Sequence, residues 1–221
     1  GDKQHRFRVI RAVKNRYGST NEIGVFEMTE SGLSEVANPS EMLLSGRPVD
    51  SSGNCAVCTM EGTRPIITEI QALVASTSFP TPRRTADGVD YNRVCLIIAV
   101  LEKRLGLRFN MSDVYLNVIG GMRLDENASD LAVALALISS YKDIALPDDL
   151  IAFGEIGLAG ECRAVSSADL RVGEAAKLGF RTVMLPKRNY ERLKDRKYAD
   201  GVKLIPVSGI FDALAAIASK K

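Results

Sequence analysis

The sequence predicts an α+β domain, and three patterns carry that prediction. Residues 22–74 hold two pairs of short β-rich runs, each pair joined by a turn signal. From Asp113 onward strand-like runs alternate with helical ones, which requires at least one parallel pairing. The stretch Leu131 to Ile138 is apolar on every side, so a helix there must lie inside a core rather than on a surface.

In chain order, Arg6 to Val13 alternates bulky and charged residues as a half-exposed strand does, and ends in the turn-rich run Lys14-Asn15-Arg16-Tyr17-Gly18-Ser19-Thr20-Asn21. This segment reads as the last strand of an upstream unit, with residues 1–20 belonging to it and residues 21–221 forming the domain proper. Glu22 to Thr29 and Leu33 to Val36 make the first hairpin around Ser31-Gly32. A loop rich in Pro39, Gly46, Pro48 and Gly53 follows. Asn54 to Met60 and Pro65 to Val74 make the second hairpin across Gly62-Thr63, with Thr68, Glu69 and Gln71 as polar punctuation.

Ser76 to Asp90 reads as a long polar loop, a length usually reserved for function or motion. Asn92 to Leu105 is a helix with an apolar stripe at Val94, Ile97, Ile98, Leu101 and Leu105, closed by Gly106. Then come strand 114–119, helix 129–141, strand 150–153, helix 168–178, strand 182–185, strand 202–207 and helix 210–218.

With 221 residues, 46% apolar and 25% charged, the chain has an ordinary globular composition and enough length for one core plus a small appendage. Its apolar run at 131–138 is far short of the roughly 20 residues a membrane helix needs. No membrane partner is expected. Neither a signal-peptide core nor an initiator methionine opens the sequence, which reads as part of a longer protein. Net charge is only +2, but six Lys/Arg face one acid in residues 1–18 and ten face four in residues 181–221. Basic ends flank an acidic middle, a distribution that suits a polyanion or a scattered solvated face.

Cys55 and Cys58 form the only C-x-x-C, yet in a strand residues three apart point to opposite faces, and His5 is the single histidine. Buried packing is expected of them, in a reducing cytoplasm, and no metal.

Ser129 stands where the apolar helix begins, after Leu124-Asp125-Glu126-Asn127-Ala128. A serine hydroxyl is a poor nucleophile without a base, and at a helix start it also serves as an N-cap. Gly120-Gly121 upstream and Gly154-Glu155-Ile156-Gly157-Leu158-Ala159-Gly160-Glu161 downstream complete a pattern that resembles the proteolytic domain of the Lon protease family over roughly Ile66 to Pro206. In that family a lysine on the next helix activates the serine. Asp169 occupies the lysine's position here, and a carboxylate of ordinary pKa near 3.9 is a very weak base for a hydroxyl. Arg171 cannot deprotonate, and Lys177 lies about 12 Å further along the helix. The resemblance therefore implies a Lon-like frame without proteolysis, Ser129 being a vestigial nucleophile.

Lys14-Asn15-Arg16-Tyr17-Gly18 is very similar to the K-N-R-F-G motif of the RadA (Sms) family of bacterial DNA repair proteins, which carry a Lon-like domain at the C-terminus. Asn21 to Phe26, Glu61 to Pro65, Glu69 to Val74, Asn92-Arg93 and Phe153 to Glu161 resemble the same family. The resemblance implies a whole protein with a zinc finger and a RecA-like ATPase that uses ATP and magnesium. No G-x-x-x-x-G-K-[ST] occurs in this chain, so no cofactor is expected of the chain itself. It further implies movement on single-stranded or branched DNA during recombination, a RecA-type recombinase partner and a hexameric working form. Lys14 and Arg16 would then be cations supplied in trans to the ATP of a neighbouring subunit. Arg83, Arg84 and Arg93, around the long loop, are the candidates for DNA phosphate contact. The rival readings are a working Lon-type ATP-dependent serine protease and a protein-binding scaffold that does not touch DNA.

Overall fold

A computed structural model describes residues 7–11, 23–29, 32–36, 38–198 and 201–218. Strands β1 (Phe7–Arg11), β2 (Ile23–Thr29) and β3 (Gly32–Glu35) form an antiparallel three-stranded sheet in the order β1-β2-β3. The β2–β3 hairpin is the expected one, and the run before it pairs directly with β2, Phe7 lying opposite Glu27.

The larger sheet has seven strands: β4 (Asn54–Glu61), β5 (Arg64–Ser76), β6 (Arg84–Asp87), β7 (Ser112–Val118), β8 (Leu150–Ala152), β11 (Thr182–Pro186) and β12 (Lys203–Val207), in the order β12-β11-β8-β4-β5-β7-β6, while β9 (Glu155–Ile156) and β10 (Cys162–Arg163) pair as a separate antiparallel ribbon. It is mixed, as the strand–helix alternation requires. β12, β11, β8 and β4 run parallel, β4–β5 and β5–β7 are antiparallel, and β6 lies parallel to β7 at the edge. The β4–β5 turn is the two-residue Gly62-Thr63 connection, closed by Glu61 opposite Arg64.

Helices α2 (Tyr91–Leu105), α3 (Asp130–Lys142) and α6 (Ile210–Ala218) cover one face, while α4 (Ala168–Lys177) and α5 (Lys187–Leu193) cover the other. The pleat of β4 assigns its residues alternately. Cys55 and Val57 join the core under α3, whereas Ala56 and Cys58 join the core under α4. Both thiols are therefore packing residues on opposite faces, and burial pushes each pKa up to about 12. In α3 every residue from Asp130 to Ser139 is buried, as its all-round apolarity predicts.

Three segments expected to be irregular are not. β6 lies inside the 76–90 run; it is an edge strand, needing partners on one side only, so its charged residues gave no apolar pattern. The Pro39 loop contains the short helix α1 (Pro39–Leu43), started by Pro39 at its first turn and by the Asn38 side chain accepting from the Glu41 amide at 3.2 Å. α5 follows Pro186 directly. Thr68 and Glu69 are not exposed punctuation either: both are buried, Thr68 donating to the Ile119 carbonyl and Glu69 pairing with Arg47 at 2.5 Å.

Candidate functional site

Ser129 lies at the end of a single 3-10 turn, Asn127–Ser129, that leads into α3. Its backbone is already helical, and its hydroxyl does not cap the helix. Oγ instead donates to the Glu126 carbonyl at 2.9 Å, and the Ser129 amide points to the same carbonyl at 3.3 Å. Both polar groups of this buried serine are spent on one local oxygen. The N-cap expectation fails because Ser129 is itself helical and the Leu131 amide at the start of α3 is taken by the Gly154 carbonyl; the adjacent Asp130 accepts from the Ile156 amide at 3.0 Å and from Arg93 through both oxygens, Nε at 2.9 Å.

This arrangement welds the N-terminus of α3 to the 154–156 segment. The Leu131 amide donates to the Gly154 carbonyl at 3.0 Å, and the Gly154 amide donates to that of Ala128 at 2.7 Å. Arg93 adds a bond to the Ile156 carbonyl at 2.9 Å, and its hydrogen bonds to Asp130 raise its pKa.

On the opposite flank, Glu126 receives Arg171 from α4. The guanidinium makes a two-pronged contact, 2.7 Å on each side, and also donates to the Cys58 carbonyl and, at 3.1 Å, to that of Ser166. Arg171 is fully buried, whereas 28% of the Glu126 side chain remains exposed. Burial alone would raise the Glu126 carboxyl; the Arg171 charge and the Met60 amide, which donates at 2.8 Å, outweigh it and hold the pKa below the usual carboxylate range.

Asp169, two residues before Arg171, faces elsewhere. It pairs with Arg196 and accepts from the Tyr198 hydroxyl at 2.9 Å. A separation of two residues turns side chains about 200° apart on a helix, so α4 sends its arginine inward to the serine segment and its aspartate outward. The structure does not bring Ser129 and Asp169 together: Ser129 borders a cleft of about 350 Å³ with Arg93, Arg123 and Asn127, and Asp169 borders a different one with Arg64 and Lys177.

Of the three arginines singled out for phosphate contact, Arg84 donates to the carbonyls of Ser112, Phe109 (2.6 Å) and Arg83 (3.1 Å) and secures the start of β7. Arg93 serves Asp130. Arg83 alone of the three is exposed, its guanidinium stacked 4.1 Å over the Phe79 ring. Lys14, Asn15, Arg16, Tyr17 and Gly18 lie outside the described residues. Sequence reasoning missed the Arg171–Glu126 and Arg93–Asp130 pairs. Their signal was present, since two acids flanking Ser129 before a wholly apolar helix need buried cations.

The chain is 51% identical to DNA repair protein RadA of Halalkalibacterium halodurans over 214 residues and 51% identical to DNA repair protein RadA of Bacillus subtilis over 215, in each case 97% of this chain and 46% of the relative. That of Brucella abortus is 51% identical over 219 residues, 99% of this chain and 46% of that protein. Over nearly its whole length the chain is similar to RadA proteins. It spans just under half the length of these curated relatives. A family profile described as subunit ChlI of Mg-chelatase matches residues 92–189, the stretch from α2 into α5. No helix among the described residues is long and apolar enough to cross a membrane. Among them, too, no group of three or more His, Cys, Asp or Glu side chains is arranged to hold a metal ion.

Proposed function

We propose that this chain is the Lon-protease-like C-terminal part of a RadA-type DNA repair motor, and that it serves as a proteolytically inert, DNA-binding, ring-forming platform. One observation carries the inert part: the Ser129 hydroxyl and amide both engage the Glu126 carbonyl, and the helix that would supply a base presents an arginine fixed on Glu126. A nucleophile needs a base on its hydroxyl, and an acyl-transfer site needs free amides for the oxyanion. Among the described residues no base meets the Ser129 hydroxyl, and the amide of Ser129 itself is engaged.

ATP hydrolysis with magnesium, the zinc finger and movement along DNA are assigned to the remainder of the whole protein, since the chain holds no G-x-x-x-x-G-K-[ST] loop. The names of the relatives, DNA repair protein RadA, support DNA as partner; the proposal adds a RecA-type recombinase, a hexameric ring and the cytoplasm as the working context. Lys14 and Arg16 act in trans on a neighbour's ATP, because a cyclic motor needs a fixed neighbour to receive such cations. Arg83 supplies the phosphate contact. Arg84 and Arg93 hold the frame around it.

The test combines light scattering with duplex binding by the 221-residue chain. Closed assemblies and binding that weakens steeply with salt, reduced in slope by about 0.9 in Arg83→Ala, support the platform. A strictly monomeric chain indifferent to DNA would refute it.

A further inference from the structure

We propose that the segment from α5 to β12 carries a second nucleic-acid contact, a single-strand site at the opposite edge of the sheet from Arg83. Residues 187–203 contain seven Lys/Arg against three acids. Lys187, Arg188, Arg192, Lys194, Arg196, Lys197 and Lys203 are all exposed, a density of cations that attracts a phosphate chain.

A cavity of about 410 Å³ opens among them, lined by Tyr190, Lys194, Arg196, Lys197 and Tyr198. Both tyrosines are half-buried and pack against the core under α4, which makes them rigid faces. Burial and the nearby Asp169 raise the Tyr198 pKa, so the phenol stays neutral at physiological pH. Arg196 offsets the Asp169 charge, and Lys194 meets Glu191 at 3.1 Å in an exposed pair that costs little to open. Asp195 is the one described acid in this segment, besides Glu191, that stays exposed beside the cations.

Packed aromatic faces among exposed cations are what single strands require, bases stacking while phosphates are neutralised. A duplex hides its bases and would leave the tyrosines unused. The two contact regions lie at the two edges of a seven-stranded sheet, so six interstrand spacings, roughly 29 Å, separate them. The proposal rests on nucleic acid as the partner of this chain, but not on Arg83.

The experiment is fluorescence anisotropy of the 221-residue chain with a labelled single strand of about 12 nucleotides and with a matched duplex, over a range of salt. In Lys194→Ala/Lys197→Ala, two phosphate contacts are lost; at about 0.7 per contact the salt slope falls by about 1.4, which at about 0.1 M salt weakens single-strand binding about 25-fold. Tyr190→Leu weakens it about tenfold and leaves the duplex unaffected. Should Tyr190→Leu fail to fold, the exposed lysine pair carries the test. An unchanged slope in the double variant, or no binding of the single strand by the parent chain, would overturn the site. Arg83→Ala, which alters duplex binding alone, separates this outcome from a failure of the Arg83 assignment.

Discussion

Replacing Arg171 with methionine should be among the most destabilising single changes in the chain. The guanidinium is fully buried and donates to both oxygens of Glu126 and to the carbonyls of Cys58 and Ser166. Methionine fills most of its volume but leaves two main-chain acceptors and a carboxylate without their donor. Each abandoned carbonyl costs about 1–3 kcal/mol. Glu126, 28% exposed and still bonded to the Met60 amide, can recover part of its hydration, so the total should fall at about 3–5 kcal/mol, the range for breaking a buried pair. For a chain of this size that lowers Tm by about 6–20 °C. Urea unfolding measures it, and a second series tests its cause. Because the Glu126 pKa is depressed in the folded state, its contribution is full above the ordinary carboxyl range and is lost as pH falls through the folded-state value. Arg171→Met should remove that acid-side loss. A destabilisation below about 1 kcal/mol, or an acid profile unchanged from the parent, would refute the reasoning.

Other changes separate scaffold from chemistry. Ser129→Ala loses one hydrogen bond to a main-chain carbonyl and should cost about 1 kcal/mol in urea unfolding, with no effect on ATP turnover of the whole protein. Gly53 has φ +90° and a Cβ there would stand 2.2 Å from the Ala72 carbonyl oxygen, so Gly53→Ala should lose at least about 2 kcal/mol by the same measurement. Cys55 and Cys58, buried with pKa values near 12, should resist a thiol reagent at pH about 8 until the chain is unfolded; rapid native labelling of either would contradict their packing role. Lys14→Ala and Arg16→Ala should change stability by no more than about 0.5 kcal/mol while reducing ATP hydrolysis by orders of magnitude in the whole protein, and in mixed rings Arg16→Ala should disable its neighbour's site. Normal hydrolysis with DNA present would make them simple DNA contacts.

What the sequence disclosed and what it concealed follow from range. Hairpins such as 54–61 with 64–76 and the all-buried α3 were legible because pleat and helix periodicity act within a few residues. β6 was hidden because an edge strand, solvated along one side, keeps charges that resemble a loop. At the site, the serine was legible at the start of the apolar helix, whereas the assignment of Asp169 to a lysine's position came from the resemblance to the Lon family and not from any local pattern. The fixation of Glu126 by Arg171 spans 45 positions, and that of Asp130 by Arg93 spans 37. No local pattern reports which arginine of several meets which buried acid. For the same reason Arg84 and Arg93 read as exposed phosphate ligands, whereas their guanidinium groups are engaged by the carbonyls of β7 and by the start of α3.

The central claim is that Ser129 is held as a structural residue and not as a nucleophile. It is tested most directly by exposing the chain to a serine-directed covalent probe and mapping the modified residue by mass spectrometry, with Ser129→Ala alongside. The geometry predicts no adduct at Ser129, because its hydroxyl is buried against the Glu126 carbonyl and no base adjoins it among the described residues. Stoichiometric labelling at Ser129 that disappears in Ser129→Ala would contradict the account and restore a protease.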